Sequence, residues 1–353
     1  MLGERRRLRA VLLAQLLAVV VMLATLAPLA HAGGLTTGAK PPLRFHADGS
    51  FKICQFADLH FGEGEDVTWG PVQDTNSSRV MRNVLERERP DLVVFSGDQI
   101  TGNNVADNAT AYWAQVVREC QVMGIPWAII FGNHDDLASG VNGSRAALME
   151  FDTSFELSYS QFGPEGLPGT SNYYLPLLAS DSDQVASWIF FLDSGGGSID
   201  EVITLPQVAW YRNTSASLEA LVGRVLPSMA FFHIPLVQYD AVYSPEKCIG
   251  MNDDGITPQD EDLGIFQAFL DRGDVQLTSV GHDHGESFCC PLQTLTLCFG
   301  RHSGYGGYGD WDRGGRIFIL SEPSKTTTQL SFSTYVRMEN GTITDGPNFP
   351  KRT

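Results

Sequence analysis

The chain has 353 residues, 43% of them hydrophobic and 18% charged, with a net charge of -17. That is enough apolar material for a sizeable core in one large or two ordinary domains, and no tract has the composition of a long disordered tail. So acidic a surface, without a basic patch, excludes nucleic acid as an expected partner, and a phosphate-handling site would need cations to reverse the local sign.

Residues 1–32 read as a secretory signal peptide. Arg5, Arg6, Arg7 and Arg9 form a basic start, residues 10–26 are nearly all apolar, and Ala30-His31-Ala32 fits a cleavage site. The alternative is an uncleaved signal anchor, since the run approaches the ~17–25 residues of a membrane span. With cleavage, residues 33–353 form a single domain with no stable membrane span. Sequons at Asn76, Asn108, Asn142, Asn213 and Asn340 suit a glycoprotein that is secreted or held in an endomembrane or vacuolar lumen. Of the six cysteines, Cys248, Cys289, Cys290 and Cys298 cluster late and are the expected disulfide formers, with the pairing open. Cys54 lies in an apolar run and reads as a buried thiol. No C-x-x-C pair occurs, which argues against a zinc ribbon.

In chain order, residues 43–46 and 51–57 around Asp48-Gly49 predict a hairpin. A helix follows over 77–89, a buried strand over 91–96, a helix over 107–123 and a strand over 126–131. This alternation predicts a parallel sheet with helices on its faces. Residues 143–162 read as a helix, 173–178 and 188–192 as strands, 205–222 as a helix and 228–232 as a strand. Residues 239–260 are loop-rich and read as a solvated insertion without calcium-loop spacing. A helix over 262–270 and a strand over 275–280 come next. Strands over 294–299, 316–320 and 326–336 are expected to form a more antiparallel second sheet. The aromatic-glycine stretch 304–315 is either a flexible loop or a rim over an active site.

Five short clusters each follow an apolar, strand-like run: Asp58-Leu59-His60, Gly97-Asp98, Gly132-Asn133-His134-Asp135, His233, and Gly281-His282-Asp283-His284. Five of the eight histidines fall inside them. Loops after buried strands of α/β sheets carry ligand sites. Imidazoles mixed with carboxylates and an amide suit Zn, Fe or Mn better than an all-oxygen calcium site. Any one cluster could be an ordinary turn; all five together are poorly explained that way.

The set D-x-H, G-D, G-N-H-D, a lone His and G-H-x-H, in that order, resembles the calcineurin-like metallophosphoesterase superfamily. Asp58–Gly62 and the tyrosine-glycine stretch after Arg301 are similar to its small purple-acid-phosphatase-like branch, the plant inactive-type purple acid phosphatases and fungal cell-cycle-regulator phosphatases. The resemblance implies a four-layer α/β/β/α sandwich of two packed mixed sheets flanked by helices. It also implies two metal ions (Fe, Zn or Mn). Asp58, His60 and His284 would hold the first, Asn133, His233 and His282 the second, and Asp98 would bridge them. His134 would be the general acid. The implied activity is hydrolysis of phosphomonoesters by metal-bound hydroxide, with a phosphorylated small molecule or phosphoprotein as substrate. A phosphodiesterase acting on nucleotides or lipid head groups, or a non-catalytic binding module, are the alternatives. Asp135 is expected to orient a histidine, Asp283 to do the same or lie exposed, and Arg301-His302 to be a solvated turn pair. Purple acid phosphatases carry a metal-binding Tyr three residues after the bridging Asp; here that position is Thr101, which implies an active but colourless enzyme.

Overall fold

The structure, a computed structural model, describes residues 40–105, 107–136 and 143–346. The expected signal peptide and the Asn142 sequon therefore lie outside the described residues. Residues Pro42–Thr353 form one compact unit, and everything below concerns its described residues.

Two six-stranded sheets make its centre. The first contains β1 (Ser50–Phe56), β2 (Leu92–Ser96), β3 (Trp127–Ile130), β10 (Gly314–Ser321), β11 (Ser331–Met338) and β12 (Ile343–Thr344), ordered β12-β11-β10-β1-β2-β3. The second contains β4 (Tyr173–Leu178), β5 (Val185–Phe191), β6 (Ser228–Phe231), β7 (Val275–Val280), β8 (Cys289–Leu292) and β9 (Leu295–Phe299), ordered β4-β5-β6-β7-β9-β8. β1, β2 and β3 run parallel, as do β5, β6, β7 and β9, while the outer strands pair antiparallel. Helices α1 (Gly70–Glu88), α2 (Ala109–Met123) and α3 (Arg145–Thr153) cover the first sheet; α4 (Leu205–Val222) and α5 (Ile265–Arg272) cover the second.

Strand alternation explains the layering. In β1 and β2, Cys54, Phe56, Val93 and Phe95 pack on Val80, Val84, Trp113 and Val117 of the helices. Their neighbours Ile53 and Val94 turn the other way, onto Met229, Phe231 and Leu277 of the second sheet. With both faces covered, these strands are apolar throughout. At the sheet ends nearest the five clusters, Gln55 ties the two sheets together. It donates to the Val280 carbonyl at 3.0 Å and accepts from Ser279 Oγ at 2.5 Å.

Several expectations are corrected. Residues 43–45 do not pair with β1 as a hairpin; Phe45 and Leu43 exchange main-chain hydrogen bonds with Leu178 of the other sheet. Helix α1 starts at Gly70 rather than 77, because Pro at its first turn preorganises a polar opening without apolar periodicity. The helix expected over 143–162 stops at Thr153, and Leu157 and Tyr159 hydrogen-bond alongside Trp127 instead. The late strands do not form a sheet of their own. β9 joins the second sheet, while β10 and β11 flank β1 in the first.

Cys248 pairs with Cys290 and Cys289 with Cys298, and Cys54 and Cys120 are buried thiols. The first bridge fastens the 239–260 insertion to β8. Buried Asp152 accepts from Trp113 Nε1 and Trp127 Nε1, both at 3.0 Å, and from Ser158 Oγ at 2.5 Å. Asp152→Ala would strand the two buried indole donors, so urea unfolding should show a loss on the order of 2–5 kcal/mol; a change below ~1 kcal/mol would contradict this account.

Candidate metal centre

The five clusters leave the carboxyl ends of β1, β2, β3, β6 and β7 and meet between the two sheets. Their backbones turn sharply. Asp58, His60, Asp98 and His282 have positive φ of 57°, 50°, 53° and 81°, four of the seven non-glycine cases among the described residues. Such conformations cost energy in non-glycine residues and concentrate where function demands a particular side-chain direction. Gly97 is forced by proximity as well as by its φ of +103°, since a Cβ there would sit 2.1 Å from His233 Nδ1.

Donor atoms of Asp58, His60 and His284 lie within 4.8 Å of one another, as do those of Asp98, His233 and His282. Asn133 Oδ1 joins the second group, 3.1 Å from His233 Nε2 and 2.9 Å from His282 Nδ1. Asp98 reaches both groups, with Oδ2 3.2 Å from His233 Nε2 and 3.7 Å from His60 Nε2.

Carbonyl oxygens set two of the imidazoles. His233 Nδ1 faces the Ser96 carbonyl at 2.8 Å and His284 Nδ1 the Tyr308 carbonyl at 2.8 Å, so each donates outward from Nδ1 and turns Nε2 to the centre. His60 Nδ1 meets Thr101 Oγ1 at 3.2 Å, and its Nε2 lies 3.3 Å from His284 Nε2. Opposed nitrogens and clustered carboxylates at these spacings make each group a candidate metal-binding set, with a nitrogen-oxygen mix suited to transition metals.

Electrostatics point the same way. Burial would raise Asp98, but His233 and His60 overcome it and hold the carboxyl well below its usual range. Burial would lower His233, but Asp98 and Asp58 outweigh it and raise the imidazole to about 9. Burial pushes His282 down to about 3 and His284 down to about 4, and lowers His60 as well. Without a cation His233 therefore keeps its proton, while His60, His282 and His284 stay neutral, the form that binds a metal.

The surrounding side chains depart from several expectations. Asp135 orients no histidine. It accepts from the main-chain N–H groups of Gly132, Asp98 and Ile100 at 2.7, 3.1 and 3.0 Å, pinning two ligand-bearing turns together. Asp283 is buried and accepts from Thr257 N–H at 3.1 Å, which ties in the 239–260 insertion and its sequel. That insertion is not merely solvated, because Asp254 and Gly255 line the cavity above the centre. Arg301 and His302 are buried, not a solvated pair; the His302 ring lies 3.9 Å from that of His284.

His134 sits at the cavity wall with its main-chain N–H on Asp98 Oδ1 at 2.8 Å. Its buried Nδ1 has no hydrogen-bond partner among the described residues. The cavity, about 490 Å³, is lined by His60, Asp98, His134, Asp254, His282 and Tyr308 among others. Tyr308 lies in the 304–315 stretch, so that stretch is a rim. Buried Arg145 escaped sequence reading: it donates to Asp136 at 3.0 Å, to Asp193 at 2.5 Å and to the Gly132 carbonyl at 2.9 Å, bracing the Gly132–Asp135 turn. A lone Arg in a polar helix start carries no signal that would have marked it.

Residues 51–286 match the calcineurin-like phosphoesterase family. The chain belongs to that family. This phosphoesterase is 33% identical to the probable inactive purple acid phosphatase 28 of Arabidopsis thaliana, over 78% of this chain and 76% of the relative. It is also 33% identical to phosphatase DCR2 of Saccharomyces cerevisiae, over 72% of this chain and 48% of that one. Among solved structures, a dimetal phosphatase from Danio rerio has the same fold, with a TM-score of 0.54 at 12% identity, covering 84% of this chain and 97% of its own. The small purple-acid-phosphatase-like branch and the two-sheet sandwich are thus both borne out, and the phosphoesterase is a phosphoric ester hydrolase by family.

Proposed function

We propose that this phosphoesterase is a dinuclear-metal-dependent phosphatase of phosphomonoesters, with phosphorylated small molecules or phosphoproteins as substrates. Asp58, His60 and His284 would hold one metal, Asn133, His233 and His282 the other, and Asp98 both. The observation that carries the reading is the pair of adjacent donor groups, with Asp98 Oδ2 of the second also 3.7 Å from His60 Nε2 of the first and His134 Nδ1 without a partner among the described residues. Bound ions of this kind activate water and neutralise phosphoryl charge. The chain's own part is to orient donors through the Ser96 and Tyr308 carbonyls, to hold two turns in register through Asp135, and to deliver a proton to the leaving oxygen from His134.

Secretion and N-glycosylation belong to the same reading. Asn108, Asn213 and Asn340 are exposed, two disulfides close late in the chain, and no helix among the described residues is long and apolar enough to cross a membrane.

Metal analysis with a substrate panel tests the function. Two transition-metal equivalents and faster turnover of a phosphomonoester than of a diester are expected from one preparation. Faster diester turnover would make the chain a phosphodiesterase, and no turnover by metal-loaded protein would make it a binding module. The protein should also be colourless, since Thr101 spends its hydroxyl on His60; a visible tyrosinate-to-iron band would refute that.

A further inference from the structure

Two loops meet over the metal centre at Tyr308. Its ring stacks on that of His284, with centroids 4.0 Å and planes 11° apart. Its carbonyl faces His284 Nδ1 at 2.8 Å, and its hydroxyl accepts from the His284 main-chain N–H at 3.0 Å while donating to Asp254 Oδ2. The loop can come this close only because residue 307 is glycine. With φ at +72°, a Cβ there would lie 2.3 Å from His284 Cε1 and 2.8 Å from His60 Cδ2. Glu63 holds the same point, accepting from Gly307 N–H at 2.7 Å.

We infer that Tyr308 is the positioning residue of His284, and that Asp254 holds Tyr308 in place from the 239–260 insertion. The inference rests on the dinuclear reading above for what His284 is positioned to do. A carbonyl oxygen offers only lone pairs, so His284 Nδ1 must carry the hydrogen and Nε2 must face Asp58 and His60 bare. The stacked phenol ring opposes rotation of the imidazole. Its hydroxyl is committed to His284 N–H and Asp254, so Tyr308 serves as a support and not as a ligand. The Cys248–Cys290 disulfide anchors the insertion that carries Asp254 to β8, four residues beyond Glu286, which itself accepts from Asp254 N–H at 2.9 Å. Asp254 and His284 are thereby parts of one cross-braced unit.

Two readouts test this. Histidine tautomers in metal-free, 15N-labelled protein are read by long-range 1H–15N correlation. Wild type should show His284 as a single Nδ1–H form, and Tyr308→Ala should show mixed tautomers. Zinc titration of the same samples should then show one of two equivalents weakened by about 10–100-fold in Tyr308→Ala, with the other unchanged. Tyr308→Phe, which keeps the ring and carbonyl, should give the same selective loss in smaller measure, and serves if the alanine variant fails to fold. Asp254→Ala should match Tyr308→Phe, and the double variant should be no worse than either. An Nε2–H form in wild type, unchanged tautomers in the variants, or equal weakening of both zinc equivalents overturns the inference. Expected tautomers in a wild type that binds no zinc would instead sink the dinuclear reading and leave the positioning role intact.

Discussion

Asp98→Asn should empty both metal sites at once and lower kcat on the order of 10⁴-fold, well beyond the 10²–10³ that follows loss of a single stabilising donor. The reason is geometric. Asp98 Oδ2 is 3.2 Å from His233 Nε2 on one side and 3.7 Å from His60 Nε2 on the other, and no other carboxylate among the described residues approaches both groups so closely. An amide keeps the shape but removes the shared negative charge, and its NH₂ can point at a histidine nitrogen that should face a cation. The Asp98 main chain would still be held by Asp135 and its outer oxygen by His134 N–H, so the turn should fold. Metal content after dialysis is the deciding measurement. One equivalent retained at wild-type affinity would show that the two groups do not share Asp98.

His134→Ala should behave in the opposite way, keeping both metals and losing about 10²–10⁴-fold in kcat, the range of general acid-base contributions. His134 is absent from both donor groups, and its main-chain bond to Asp98 survives the substitution. What disappears is a buried ring nitrogen with no partner among the described residues, at the wall of the cavity. Leaving groups separate the acid role from simple phosphate binding. An alkyl phosphate, whose alkoxide needs a proton, should lose the full factor, whereas a nitrophenyl phosphate should lose far less. Equal losses on both would assign His134 to holding the phosphate.

These two expectations concern neighbouring turns that were legible for different reasons. Asp58, Asp98, Asn133, His233, His282 and His284 could be singled out because each breaks an apolar run with a metal-competent side chain. Such local contrast needs no tertiary information. The parallel alternation of the first three strands and their helices was legible on the same ground. Arg145, Asp254 and Tyr308 had no such contrast. Each sits in a polar or glycine-rich stretch, and each acts through partners far along the chain: Asp193, Tyr308 and His284 respectively.

Misread elements follow the same division. Residues 154–162 look helical by spacing, yet Leu157 and Tyr159 are captured by the free edge of Trp127 in β3. A sheet edge offers unpaired main-chain groups, and that competition overrides local preference. Asp48-Gly49 does make its turn, but residue 45 finds Leu178 rather than β1, because a turn sets a change of direction and not the strand that answers it.

The residues alone placed this chain in its family: clusters of imidazole, carboxylate and amide at strand ends, in an order that marks a calcineurin-like phosphoesterase. Tertiary structure decided what depends on distant partners. It sent β9 to one sheet and β10 and β11 to the other, joined Cys248 to Cys290 and Cys289 to Cys298, and laid Tyr308 on His284 under the hold of Asp254. Periodicity reports which face of a strand is buried, but it does not name the surface that buries it.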